Sequence, residues 1–240
     1  MLREKFQMDA SLPCVEVPKC QQQEHIQPTK VQINLLSSGA VPGVPQTAQT
    51  TEICHDADNL KISWLVEQQA VTASLNSKYT TCNSAIFNLD VMEFFIAPQD
   101  NLHCYTELDL SMANVPFFSG IQNPNLNHTG ITGTPIDCAS SGIETATDTS
   151  QVQQTGRWTS QLRVPLSLLQ CPVGCPAQCT TPTDASVFRV NFYRINVRDA
   201  SVMQTQKCND DVCDYLAWSP TSVSPPSFHE PNSFGYMVLV

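Results

Sequence analysis

The sequence predicts an all-β protein, an antiparallel β-sandwich of jelly-roll or immunoglobulin-like type. Three observations lead there. Several segments alternate apolar and polar residues with the two-residue period of strands, none of useful length carries the 3.6-residue period of a helix, and Pro- and Gly-bearing turns separate the alternating runs. About eight strands with no helix to cover them must bury their apolar faces against a second sheet.

Residues 1–57 read as an irregular N-terminal segment that packs on, or leads into, a domain spanning 58–240. Pro13, Pro18, Pro28, Pro42 and Pro45 punctuate it, and its one alternating run is Val31, Ile33, Leu35. From Leu60 the pattern sharpens, with Leu60, Ile62, Trp64 and Val66 on one side of a strand. Ile86 to Pro98 is a long β-rich run, and YTELDLS sets Thr106, Leu108 and Leu110 on one face against Glu107 and Asp109 on the other. Asn114 to Thr155 reads as a long loop rich in Gly, Pro, Asn, Ser and Thr. Trp158, Ser160, Leu162 and Val164 then alternate as a strand, LSLL suits one helical turn, and Cys171 to Pro182 is an insertion too rich in proline for a helix. VFRVNFYRIN carries the strongest strand pattern, with Phe188, Val190 and Phe192 facing away from Arg189, Asn191 and Tyr193. DYLAWSP, the loop SFHEPNSFG and the strand YMVLV follow.

Charge and cysteine content bound the function. Acidic residues outnumber basic ones by 22 to 12, for a net charge of -10, and no Lys or Arg occurs between Tyr79 and Gly156. Nucleic-acid binding is disfavoured, because Lys and Arg supply most of its affinity. Eleven cysteines point to an oxidising compartment and disulfides, and the odd number leaves at least one thiol free or paired with another chain. An extracellular or secretory location is therefore expected, although MLREKFQMDA carries no apolar signal-peptide core. No run is long and apolar enough for a membrane-spanning helix.

Catalytic signatures are absent from the sequence: no G-x-S-x-G, H-E-x-x-H, phosphate loop or dinucleotide fingerprint occurs, and Pro231 follows His229-Glu230 where a zinc protease needs helix. Cys171, Cys175 and Cys179 lack the tight pairs of a zinc site and read as disulfides stapling an insertion, as do Cys208 and Cys213. Trp64 and Trp158 sit at inward strand positions and are expected in the core. Trp218, at a strand end beside Ser219 and Pro220, is a candidate for stacking on a sugar ring.

Several blocks together, DNLKISW, NLDVMEFFIAP, YTELDLS, FRVNFYRIN and YLAWSPTSVSPPSFHEPNSFGYMVLV, resemble in order the family 9 carbohydrate-binding modules and their DOMON-like relatives. The resemblance covers Asp58 to Val240 and is most specific in its last block. It implies a β-sandwich with no active site of its own, often joined to glycoside hydrolases, that holds the end of a glucan or xylan chain between two tryptophans and binds structural calcium. Carried over by position, the aromatic six residues before the strand glutamate is Phe87, that glutamate is Glu93, and the second aromatic, before Pro-x-x-Phe-Gly, is Phe228. Both tryptophans are thus phenylalanine here. The family's basic residue on YTELDLS is replaced by Glu107 or Asp109, while Asp90, Glu107, Arg189, Asn191 and Arg194 fall in framework positions, the last three placed to pair with Glu93 and Glu107 across strands.

The expected function is recognition of a poly- or oligosaccharide without catalysis, in a carbohydrate catabolic context. The alternatives are a structural or protein-interaction sandwich that has lost sugar binding, or a fragment of a glycoside-degrading enzyme. Eight carboxylates between Tyr79 and Gly156 with no basic residue near them in sequence are also expected to hold a divalent cation such as calcium.

Overall fold

The computed structural model describes residues 2–20, 29–32, 34–35, 49–67, 77–175, 186–199 and 201–240. Ile33 of the expected N-terminal alternation and the insertion beyond Cys175 lie outside them. The described residues form fourteen strands in two sheets.

The larger sheet has nine strands. Its path runs β1 (Cys14–Val17), β14 (Gly235–Leu239), β12 (Val187–Val197), β6 (Val91–Pro98), β7 (Cys104–Ser111), β8 (Pro116–Gln122) and β9 (Thr132–Pro135), with β13 (Cys213–Ala217) pairing β12 and β3 (Asn34–Leu35) pairing β13. The smaller runs β10 (Glu144–Asp148), β11 (Arg157–Pro165), β5 (Asn59–Glu67), β4 (Gln49–His55) and β2 (Thr29–Val31). Residues before Asp58 thus enter both sheets. β1 lies parallel to β14, while the other pairings are antiparallel.

Strand alternation decides which face each side chain takes. On the central strands of the large sheet the even-numbered residues, including Phe94, Leu108 and Phe192, turn toward the small sheet and meet Trp64, Leu162 and Trp158. Both tryptophans are core residues, each 1% exposed. The odd-numbered residues Val91, Phe95, Tyr105, Tyr193 and Ile195 turn the other way and build a second cluster with Ile86, Leu89, Val202, Phe228 and Phe234 from the flanking loops. β12 is accordingly buried along its whole length, on both faces.

Asn114 to Thr155 departs from the loop expected there, since β8, β9, β10 and a short helix, Val152–Thr155, occupy it. The reason is compositional. Every residue of β9 is exposed and β10 alternates exposed with half-buried positions, so these edge strands carry little apolar patterning to read. LSLL does form a helical turn, Leu166–Gln170.

Disulfides join Cys20 to Cys54, Cys82 to Cys138, Cys104 to Cys175 and Cys208 to Cys213, and Cys171 is also oxidised. Cys175 therefore ties its insertion to β7. Cys14 is the free thiol among the described residues. No described helix is long and apolar enough to cross a membrane.

Candidate functional site

The outward face of the large sheet is where chemistry collects. Glu93 on β6 stands opposite Asp109 on β7 and Tyr193 on β12, and Glu107 occupies the next outward position along β7. All three carboxylates thus leave the same face, and an oxygen from each lies within 4.8 Å of the others. They are almost sealed from water, at 2%, 5% and 0% exposure for Glu93, Glu107 and Asp109. One Glu93 oxygen is buried without a hydrogen-bond partner among the described residues, whereas Glu107 and Asp109 share a side-chain hydrogen bond.

Burial without a counter-ion favours the neutral acids. It pushes Glu107 up to about 8. Glu93 is raised well above the usual carboxylate range by burial and then by the nearby Glu107. Asp109 is raised by burial and then by the neighbouring charges of Glu107 and Glu93.

Above this floor is a cleft of about 390 Å³, into which Glu93 and Glu107 open. Its walls are apolar and aromatic: Phe87 and Phe117, which meet edge to face at 5.1 Å, with Phe228, Tyr215, Ile121, Ile131 and Ile195. Phe87 precedes β6 on a single 3-10 turn and is 38% exposed. Phe228 differs, since its ring stacks on Tyr193 at 4.1 Å and meets Tyr215 at 6.0 Å, leaving 8% exposed. It is a packed wall, whereas Phe87 is a rim.

Framework residues hold the loop that carries Phe228. The Asn191 side-chain amide donates to the Tyr193 hydroxyl at 2.8 Å and the Ser219 carbonyl at 2.7 Å, and the Tyr193 hydroxyl donates to the Phe228 carbonyl at 3.1 Å. Arg189 donates to the carbonyls of Phe234 and Asn232. Arg194 turns to the opposite face, is fully buried, lies 3.0 Å from Asp90 and stacks over Trp158. The pairing of these three residues with Glu93 and Glu107 is therefore not what forms. Alternation sends Arg194 through the sheet, and loop carbonyls take up Arg189.

Trp218 is likewise not in the cleft. It follows Ala217, which belongs to the outward cluster, so its own side chain points to the inter-sheet core, where it meets Phe192 at 5.8 Å. Gly235 makes room for it, because a Cβ there would sit 2.5 Å from the indole ring.

His229, beside Phe228 in the chain, lines the cleft as well. Its Nδ1 is 2.7 Å from the Tyr105 hydroxyl. Burial lowers the imidazole to about 4 and raises the Tyr105 phenol, so at neutral pH both groups are uncharged and share this one hydrogen bond. Neither the sequence motif nor the family pattern marks His229, Phe117 or Tyr215. The sequence draws attention to His229 only through the His229-Glu230 pair, which Pro231 removes from zinc-protease chemistry; its place next to Phe228 is the signal that points to the cleft.

The eight carboxylates between Tyr79 and Gly156 do not act together. Asp90 has Arg194, Glu144 has Arg163 at 2.6 Å, and Asp137 and Asp148 accept from donors in their own turns, which lowers both. Glu93, Glu107 and Asp109 are the group among the described residues close enough to share an ion. Calcium takes six to eight oxygens; these three carboxyl groups carry six between them, and the rest of the cleft adds mainly hydrocarbon and aromatic ring.

No family model matches the chain. A curated relative from Arthroderma benhamiae, called Extracellular protein, is 28% identical over 236 residues, which are 95% of this chain and 91% of the relative. Among solved structures, a Bacteroides uniformis protein assigned to carbohydrate binding matches with a TM-score of 0.63 at 16% identity, over 94% of this chain and 98% of that one. A family 9 carbohydrate-binding module from Caldicellulosiruptor kristjanssonii, solved with glucose, matches with a TM-score of 0.56 at 13% identity, over 95% and 96% of the two chains. At these identities the likeness establishes architecture, and the chain has the two-sheet β-sandwich fold seen in family 9 carbohydrate-binding modules.

Proposed function

We propose that the cleft binds a saccharide and that the protein is a non-catalytic recognition module working outside the cytoplasm. The observation that carries this reading is the meeting of an exposed aromatic rim, Phe87, with a polar floor, Glu93 and Glu107, in one cleft on the outward face of the sheet. A pyranose has apolar C–H faces and a hydroxyl edge, so aromatic rings take the faces while carboxyl and imidazole groups bond the edge. The solved neighbours support it, since one is assigned to carbohydrate binding and another was solved with glucose. The extracytoplasmic setting is supported by the disulfides and by the name of the fungal relative.

Titration of the full chain with a panel of neutral, acidic and basic oligosaccharides, followed by calorimetry, tests the reading. At least one glycan is expected to bind and to bind more weakly to Phe87→Ala, with the melting temperature nearly unchanged. If no class of glycan binds the folded protein, the sandwich is an interaction scaffold and the proposal is wrong.

A further inference from the structure

We propose that the saccharide taken by this cleft carries a free amine, as in an oligomer of β-linked glucosamine. The inference rests on the saccharide reading above and adds the chemical class of the ligand. It begins with a charge imbalance. Three carboxyl groups share a space of 4.8 Å and are at most 5% exposed; Glu107 and Asp109 bond only to each other, and one oxygen of Glu93 has no partner among the described residues. Burying such groups unpaired is costly, and proteins ordinarily compensate with a cation or a full set of hydrogen bonds.

Among the described residues no cation supplies that compensation. The titratable groups that face or surround the trio from each packed element are Tyr105 on β7, Tyr193 on β12, Tyr215 on β13, and His229 and Glu230 in the last loop. The tyrosines are neutral, His229 is held neutral at physiological pH by its burial, and Glu230 is acidic. The nearest guanidinium groups are committed elsewhere, Arg194 to Asp90 and Arg189 to loop carbonyls.

Glu93 and Glu107 nevertheless open into the cleft, so a cation brought by a ligand can reach them. The other lining groups decide which kind. Phe87, Phe117, Tyr215 and Phe228 offer ring faces and edges, which attract an organic ammonium through the ring quadrupole and stack on the sugar attached to it. A metal ion would find few further oxygens there. The charge of the whole chain, -10, with no Lys or Arg between Tyr79 and Gly156, favours the approach of a polycationic glycan.

When the ammonium arrives, a carboxyl group of the trio loses its proton to the solvent and becomes its counter-ion. Binding is therefore coupled to proton release, which a neutral sugar would not cause.

Calorimetry of the full chain with a glucosamine tetramer, an N-acetylglucosamine tetramer and a glucose tetramer tests this, run in buffers of different ionisation enthalpy. We expect the glucosamine oligomer to bind at least about tenfold more tightly than the other two, the scale of one charge-assisted contact. It should also release protons, and Glu107→Gln should erase most of the preference. Should Glu107→Gln not fold, Glu93→Gln serves the same purpose, and proton release by the wild type stands by itself. Equal affinity for the three oligomers overturns the amine while leaving the saccharide reading intact; binding to none of the three, while another glycan binds, also overturns it. Binding to no glycan at all removes both. Calcium binding that blocks the glucosamine oligomer and disappears in Glu107→Gln makes the trio a metal site and overturns the inference.

Discussion

Asp90 and Glu93 lie almost side by side at the start of β6, with 1% and 2% of their surface exposed, yet the chain treats them in opposite ways. Asp90 receives the Arg194 guanidinium on both oxygens, at 3.0 and 3.2 Å, and the backbone N–H of Val197 at 3.1 Å. Among the described residues Glu93 faces two more acids and no charged base, His229 being held neutral by its burial. The first carboxylate is a fastener between β6 and β12. The second is raised toward the neutral form and faces a cleft. A buried acid paired with a guanidinium organises structure, whereas one left without a counter-charge on a cleft wall is a place where a ligand can supply what the fold does not.

The largest test of this contrast is Arg194→Met, which keeps the bulk and removes the charge. It should strand Asp90 and cost about 3–5 kcal/mol in urea unfolding. A loss below about 1 kcal/mol would mean that Asp90 is not held as a charge at all.

Next in size is Phe228→Ala, expected to cost about 3 kcal/mol because it empties a stacked, packed position. That variant measures packing more than ligand contact. Replacing Phe87, by contrast, reports on the ligand.

A third test is the pH dependence of stability. Glu107 titrates near 8 when folded against an ordinary value of 4.5, so its favourable contribution is complete below 4.5 and is lost as pH rises through 8. Glu93 and Asp109 are raised in the same sense. His229, lowered from 6.5 to about 4, acts oppositely, but only as pH falls below 6.5. Between 6.5 and 8, therefore, unfolding free energy should decline by about 1 kcal/mol or more, and Glu107→Gln should flatten that decline. A flat wild-type profile over this range would show that the trio already has a counter-ion.

The smallest expected stability change is that of Phe87→Ala, under about 1 kcal/mol, because the ring is already 38% exposed. Saccharide affinity should fall by roughly 0.5–1.5 kcal/mol in the same variant. Unchanged affinity would remove Phe87 from the site.

Much of this was legible from alternation. The pattern of VFRVNFYRIN places Arg189, Asn191 and Tyr193 on one face, and the structure does the same, because a period of two leaves no other choice. The order of Phe87, Glu93, Glu107 and Phe228 along the chain likewise leads to one cleft. What alternation cannot show is the partner across a sheet or loop. Arg194 answers Asp90 because their strand ends lie in register, and no local motif records that. Trp218 looked like a binding ring because it sits at a strand end next to proline, whereas one residue of register turned it into the core. The edge strands β9 and β10 were read as loop, since sheet pairing and not apolar burial makes them strands.

The parallel pairing of β1 with β14 also bears on how the molecule is made. The Asp9 amide donates to the Tyr236 hydroxyl across 227 residues of sequence, and Val240 bonds back to Val17. As the polypeptide emerges during synthesis, its first strand has no sheet neighbour until almost everything between has been translated. Until then β1 lacks the β14 partner it pairs with here and exposes the free thiol of Cys14, so the large sheet is completed only after β14 has been made. In an oxidising compartment that delay is when Cys14 is most open to pairing with the wrong cysteine.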